Sequence, residues 1–167
     1  MELQNILKKK KAVILEKWLA AIFDTYPADT AAFLKGERDM FSNPVGCTIT
    51  ANAEYILEGL INGEDTDSLS AHVERIIRIR AVQHFTPAQA VSFINSLNAI
   101  IIDQLKSELN RPTLWDEWEE LKARIDSLSL VACETYAQMK DRIQHIRMKE
   151  LADSERFLIK LMGSRSR

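Results

Sequence analysis

The feature that most constrains the fold is a long series of apolar residues in the second half of the chain, spaced three and four residues apart. Such spacing places side chains on one face of an α-helix and is typical of coiled-coil seams. We predict a helix over about 114–150, which at 1.5 Å per residue is about 55 Å long. A compact domain of this size has a radius of gyration of about 15 Å, so we expect the helix to project or to pack against a second copy. The residues predicted to form this dimer seam are Trp118, Leu121, Ile125, Leu128, Met139 and Ile143.

The rest of the sequence divides into five shorter helical segments separated by turn and cap residues. With only 5 Gly and 4 Pro, the chain has too few turn residues for a β protein with many turns. We predict the five helices over 3–26, 28–35, 47–62, 67–83 and 87–105. The fifth begins with a capping box from Thr86 to Gln89, and it is apolar on most sides, so we place it at the centre. The prediction is an all-α, six-helix bundle with a long C-terminal helix, forming one domain over 1–162 before a disordered tail, 163–167.

Charge and composition exclude several classes of protein. The formal net charge of −2 does not favour nucleic acid as a partner, because nucleic-acid-binding domains are usually basic. No apolar run approaches the roughly 20 residues that a membrane span needs, and no signal peptide is recognisable. Cys47 and Cys133 lie far apart and suit two buried thiols in a reducing compartment, so we expect a cytoplasmic protein without a disulfide scaffold.

No motif for catalysis or metal binding is present. The three histidines, His72, His84 and His145, show no ligand spacing, and neither a phosphate loop nor a nucleophile elbow occurs. We therefore expect neither an enzyme nor a metal site, and no cofactor. One alternative stays open: His84 lies between two predicted helices, and a helical domain can hold haem through one proximal histidine.

The arginines of the fourth helix are the best candidates for ligand or partner contacts. On a helical wheel Arg78 and Arg80 lie about 160° apart, so one of them must approach the apolar side. A semi-buried arginine usually has a carboxylate or carbonyl partner, and both a structural ion pair and an anion or partner site fit the pattern. Arg80 and Gln83 are expected to secure the junction with the fifth helix. Asn43, before Pro44, is expected to set the loop before the third helix.

Several segments in order resemble a known family. They are Phe41–Gly46, Leu57–Leu60, Arg78–Gln83, Phe85–Val91, Arg124–Asp126 and Arg142–Arg147. In this combination the chain resembles the N-terminal domain of RsbRD-type RsbT co-antagonist proteins, the sensory modules of bacterial stressosomes, over about residues 5–150. The resemblance implies a globin-like, usually haem-free sensor domain that dimerises, and whose last helix leads into a kinase-binding STAS domain. The 167 residues contain no STAS domain, so kinase antagonism is not carried over to this chain.

These observations lead to one functional hypothesis and two alternatives. We expect a bacterial, non-enzymatic signalling module of the stress response that forms a homodimer and transmits its state to a protein partner. The first alternative is a protein that binds haem through His84 or a small anion near Arg80 and Gln83. The second is a structural subunit of a larger complex.

Overall fold

The computed structural model describes residues 2–108 and 111–164, and within these ranges the chain forms six helices and no strand. The helices are α1 (Glu2–Phe23), α2 (Ala28–Gly36), α3 (Pro44–Asn62), α4 (Thr66–Val82), α5 (Pro87–Leu105) and α6 (Pro112–Ser164). The prediction of an all-α, six-helix bundle with a long final helix is confirmed.

Capping residues fix where the helices begin and end. The Asp65 side chain accepts from the Ser68 N–H at 2.7 Å and starts α4. The capping box predicted for α5 is confirmed, with Thr86 and Gln89 satisfying each other's backbone N–H groups. Gly63 ends α3 in the left-handed region, at φ 83°, where a side chain would be strained.

The predicted first helix is too long by one turn. α1 ends at Phe23, and the chain turns through Thr25 and Tyr26, whose N–H groups bond to Ile22 and Phe23. Because Pro27 disfavours helical dihedrals for the residue before it, the helix cannot continue through Tyr26 although the apolar spacing does.

The core is one cluster to which all six helices contribute, and the first part of α6 packs against both α4 and α5. α5 buries Phe93, Leu97 and Ile101. The fully buried Trp18 of α1 donates from its indole N–H to the Phe93 carbonyl at 2.6 Å. This bond joins α1 to α5, because an indole N–H removed from water needs an acceptor. The prediction that α5 lies at the centre is wrong: its other face, with Asn95, Ala99 and Ile102, is exposed.

The final helix is longer than predicted. α6 has 53 residues, which correspond to about 80 Å of helix. It runs past the predicted end near 150 and past the start of the predicted tail, and it reaches Ser164; residues 165–167 lie outside the described residues. Every residue from 144 to 162 is exposed.

The predicted dimer seam needs a correction. Trp118, Leu121, Ile125 and Leu128 are each at most 2% exposed and pack into the chain's own core. They are already covered by α4 and α5, so they cannot meet a second copy in this fold. The remaining two predicted seam residues, Met139 and Ile143, are half-buried at the edge of the bundle.

Two further findings concern the wider surface. In the described part of the chain, no helix has an apolar stretch long enough to cross a membrane. Both cysteines are free, Cys47 is half-buried, and Cys133 is exposed, which corrects the expectation of two buried thiols.

Candidate functional site

The most unusual side chain of the core is Arg80, which is 0% exposed. α4 turns Val73, Ile76 and Ile77 into the core, and Arg80 follows Ile76 and Ile77 at helical spacing on the same face. Arg80 is therefore the arginine that approaches the apolar side. Arg78 lies on the exposed side, where it pairs with Glu74 at 3.1 Å one turn earlier.

The guanidinium of Arg80 is only partly satisfied by hydrogen bonds. Its Nη2 donates to the Thr25 hydroxyl at 3.1 Å and to the Gln89 carbonyl at 2.8 Å. Nε and Nη1 have no hydrogen-bond partner. Of the five N–H hydrogens of an arginine, three are therefore without an acceptor. Among the described acidic side chains, none forms an ion pair with Arg80. The structural role expected for the buried arginine was an ion pair, but its acceptors are a carbonyl and a hydroxyl.

Three aromatic rings surround this cation. The guanidinium carbon lies 4.2 Å from the ring centre of Phe85, 5.7 Å from that of Tyr26 and 5.9 Å from that of Phe93. The faces of these rings carry partial negative charge and attract the cation. They compensate the lost hydration of Arg80 in part, without supplying a full counter-charge.

Burial and charge act in opposite directions on the pKa values of Arg80 and Tyr26. Burial lowers the pKa of the Arg80 guanidinium, while the neighbouring Tyr26 hydroxyl raises it. Burial raises the pKa of Tyr26, and the positive charge of Arg80 opposes that rise. Tyr26 is therefore a neutral hydrogen-bond donor at pH 7, and it donates to the Gln83 side-chain oxygen at 2.8 Å.

A pocket of about 320 Å³ lies on the solvent side of this cluster, which we call the junction pocket because it lies where α4 meets α5. Four of its lining residues also contact Arg80, and these are Thr25, Tyr26, Phe85 and Gln89. Gln83 and His84 line the outer part. The pocket and the buried cation are thus separated by the thickness of one layer of side chains.

His84 lies on the surface of the protein. It follows the end of α4 with φ 62°, in the left-handed conformation that often ends a helix, and its side chain is exposed. The residue proposed as a haem ligand in the alternative hypothesis therefore stands at the rim of the junction pocket, outside the core.

Two hydrogen bonds connect the region where α4 meets α5 to the final helix. The Tyr136 hydroxyl of α6 donates to the Phe85 backbone carbonyl at 2.5 Å. One turn later, the Lys140 ammonium donates to the Ala81 carbonyl at 3.4 Å. A displacement of the backbone near Phe85 would therefore act directly on α6 at the point where it leaves the bundle.

Asn43 lies in a separate cluster on the other side of α1. It is buried, its amide nitrogen donates to the carbonyls of Leu34 and Glu37 at 3.2 and 2.9 Å, and its oxygen accepts from the Gly46 N–H at 2.9 Å. One side chain thereby joins the end of α2 to the start of α3. All these partners are backbone groups, so the contacts of Asn43 are those of a structural residue.

The structure brings only part of the predicted site together. Gln83 and His84 line the junction pocket and Arg80 is buried behind its wall, whereas Arg78 and Asn43 lie elsewhere. Sequence reasoning missed Thr25, Tyr26, Phe93 and Tyr136, which come from three other helices and turns. The aromatic residues flanking Pro27 and Thr86 are visible in the sequence, but no spacing rule pairs residues 50 to 60 positions apart.

The described residues contain no group of three or more His, Cys, Asp or Glu side chains arranged to hold a metal ion.

Comparison with known proteins gives one match. A family model described as the RsbT co-antagonist protein rsbRD N-terminal domain matches residues 12–151, which is most of the chain. No curated protein and no solved structure matches it.

Proposed function

Because the chain belongs to the RsbT co-antagonist protein rsbRD N-terminal domain family, we propose that it is a non-enzymatic regulatory module that forms a homodimer and passes its state to a protein partner. The family match supports the regulatory role. We place the protein in the bacterial cytoplasm, with neither nucleic acid nor membrane as partner.

The observation that carries the dimer is the exposed second half of α6. Several of its large apolar side chains are exposed in the described structure, and these are Ile146, Met148, Leu151, Phe157, Leu158, Ile159 and Met162. An exposed helix of this length with so many apolar residues is expected to pair with another surface.

The spacing favours a second copy as that surface. Met148, Leu151, Leu158 and Met162 fall on one face with heptad spacing, and only Glu155 interrupts the series. We call these four residues the distal seam. This seam replaces the one predicted between Trp118 and Leu128, which the core occupies.

The test is the mass of the full chain in solution, measured by light scattering from micromolar to high micromolar concentration. We expect a dimer that becomes a monomer when Leu151→Glu and Leu158→Glu are combined. The matched control is Lys149→Glu with Lys160→Glu, which places two glutamates on the opposite face of α6 and should leave the dimer intact. A wild-type chain that is monomeric at high micromolar concentration would refute the dimer.

The proposal includes no haem, and we expect the purified protein to show no Soret band, even after hemin is added. The supporting observation is the exposed position of His84 at the rim of a pocket of about 320 Å³. A Soret band that disappears in His84→Ala would contradict this part of the proposal.

A further inference from the structure

The starting point is the charge of Arg80, which no group in the described structure balances. A cation removed from water is usually paired with an acid, because the low dielectric of the interior makes an isolated charge unfavourable. Here the guanidinium has two neutral acceptors and three aromatic rings, and its Nε and Nη1 remain without acceptors. A site with these properties is one anion short of satisfying its hydrogen-bond donors and its charge.

The junction pocket lies where such an anion would enter. Its inner wall consists of residues that touch Arg80, and the hydrogen bond from the Tyr26 hydroxyl to Gln83 joins two of its lining side chains. That bond joins the α1–α2 turn to the α4–α5 turn, so it can break without unfolding a helix. A rotation of Tyr26 away from its edge contact with Phe85, whose ring centre lies 5.0 Å away, would then open the wall between the pocket and the guanidinium.

We propose that the junction pocket binds a small organic monocarboxylate, whose oxygens accept the free N–H groups of Arg80 after the Tyr26–Gln83 bond opens. The carbon part of the ligand would lie against Tyr26, Pro27 and Phe85. Thr25, Thr30 and Gln89 would be the polar groups at hand for any further hydroxyl or amide.

Two features favour a monocarboxylate over a phosphate ester or an inorganic oxyanion. The described pocket lining holds no arginine or lysine, and Arg80 is the only one of these residues that is buried in the described structure, so one cation matches one negative charge rather than two. The wall also combines aromatic and proline surfaces with a volume of about 320 Å³, which exceeds what an inorganic anion would fill.

The position of the pocket suggests what binding would do. Phe85 is shared by the pocket and by the hydrogen bond from Tyr136 of α6, so a ligand that displaces Phe85 would reach the final helix. This regulatory consequence rests on the proposed function. The binding itself does not, because it involves no residue of the distal seam.

The test uses the full chain at constant ionic strength, titrated separately with butyrate, benzoate and inorganic phosphate. Binding is measured by calorimetry and by the ¹⁵N–¹H resonance of the Arg80 Nε, which reports directly on a new acceptor. We expect one carboxylate to bind in the micromolar to low millimolar range and to shift this resonance. Arg80→Met should weaken binding at least tenfold, whereas Arg78→Met, at an exposed arginine of the same helix, should not change it.

A second variant keeps the proposal testable if Arg80→Met fails to fold. Tyr26→Phe removes the closing hydrogen bond but leaves Arg80 in place, so it should tighten carboxylate binding several-fold. Three results would overturn the proposal. The first is that neither carboxylate shifts the Nε resonance at a ligand concentration about 20 times a low-millimolar dissociation constant. The others are that Arg80→Met binds as tightly as the wild type, or that phosphate binds more tightly than both carboxylates. A monomeric protein that still binds a carboxylate would refute only the dimer, and a dimer that binds none would refute only this inference.

Discussion

The clearest quantitative prediction concerns the contact between Asn43 and Gly46. A Cβ atom built on Gly46 would lie 2.3 Å from Nδ2, 2.7 Å from Oδ1 and 2.8 Å from Cγ of Asn43. Gly46→Ala must therefore expel the Asn43 amide from the position in which it forms three hydrogen bonds. The two residues are predicted to behave as a single structural unit.

The magnitudes follow from these bonds. At a net value of about 1 kcal/mol for each hydrogen bond, Asn43→Ala should lower the free energy of unfolding by about 3 kcal/mol. Gly46→Ala should lose the same bonds but gain about 1 kcal/mol from the better helix former, for a net loss of about 2 kcal/mol. In the Asn43→Ala background the clash is absent, so Gly46→Ala should stabilise the protein by about 1 kcal/mol. The double variant would then be about 3 kcal/mol more stable than the sum of the single losses predicts.

The assay is urea unfolding of all four proteins, followed by circular dichroism at one protein concentration, because dimerisation would make stability depend on concentration. Gly36→Ala is the control, since a Cβ there meets no atom within 4 Å, and it should be neutral or slightly stabilising. Losses that add to within about 0.5 kcal/mol, the usual result for independent sites, would refute the coupling.

Three further predictions concern the packing and the pH dependence of the bundle. Gly59→Ala would place a Cβ 2.4 Å from Cδ2 of the buried Leu69. The resulting strain between α3 and α4 should lower the free energy of unfolding, measured by urea titration, by about 1–3 kcal/mol. An unchanged urea midpoint would contradict this prediction. Trp18→Phe removes the hydrogen bond to the Phe93 carbonyl and part of a fully buried side chain. We expect the free energy of unfolding to fall by about 1–3 kcal/mol, and a fall of less than about 0.5 kcal/mol would show that the bond is unimportant. Burial, and next to it the charge of Arg75, lowers the pKa of His72 below 6.5, while Glu64 raises it. Since the unfolded chain then takes up the proton first, the contribution of His72 to stability is complete above pH 6.5 and is lost as the pH falls through its folded pKa. Stability should thus rise from pH 5 to 7.5, and it should rise less steeply in His72→Gln; equal slopes would refute the assignment.

The number and type of helices could be predicted because they depend on local information. The apolar spacing, the Thr86–Gln89 capping box and Gly63 each act within a few residues, and the structure agrees with the predictions made from them. The first helix was predicted too long because the spacing extends to Tyr26, although Pro27 removes helical dihedrals there. Periodicity reports which face is buried, and it contains no information on where a local steric effect ends the helix.

Which part of α6 is left exposed, and which groups contact Arg80, could not be predicted for a different reason. The heptad-like spacing from Trp118 to Leu128 shows that these residues are covered, but it does not show whether the same chain or another one covers them. The helical wheel likewise required one buried arginine on α4. Aromatic rings from the α1–α2 turn, the α4–α5 turn and α5 surround this arginine, and no described acid pairs with it. This environment follows from contacts between distant segments.

Because α6 continues without a break beyond Tyr136, a small tilt of the helix at the bundle moves its far end by a larger distance. Among the described residues Tyr136 is the last buried one, and Ser164 lies 28 positions further along, which at 1.5 Å per residue gives an arm of about 42 Å. A tilt of about 5° at the bundle would move the far end of this arm by about 4 Å, or about three quarters of the pitch of an α-helix. Rearrangements at the α4–α5 turn that are too small to disturb the core would therefore displace the end of the helix by several ångströms.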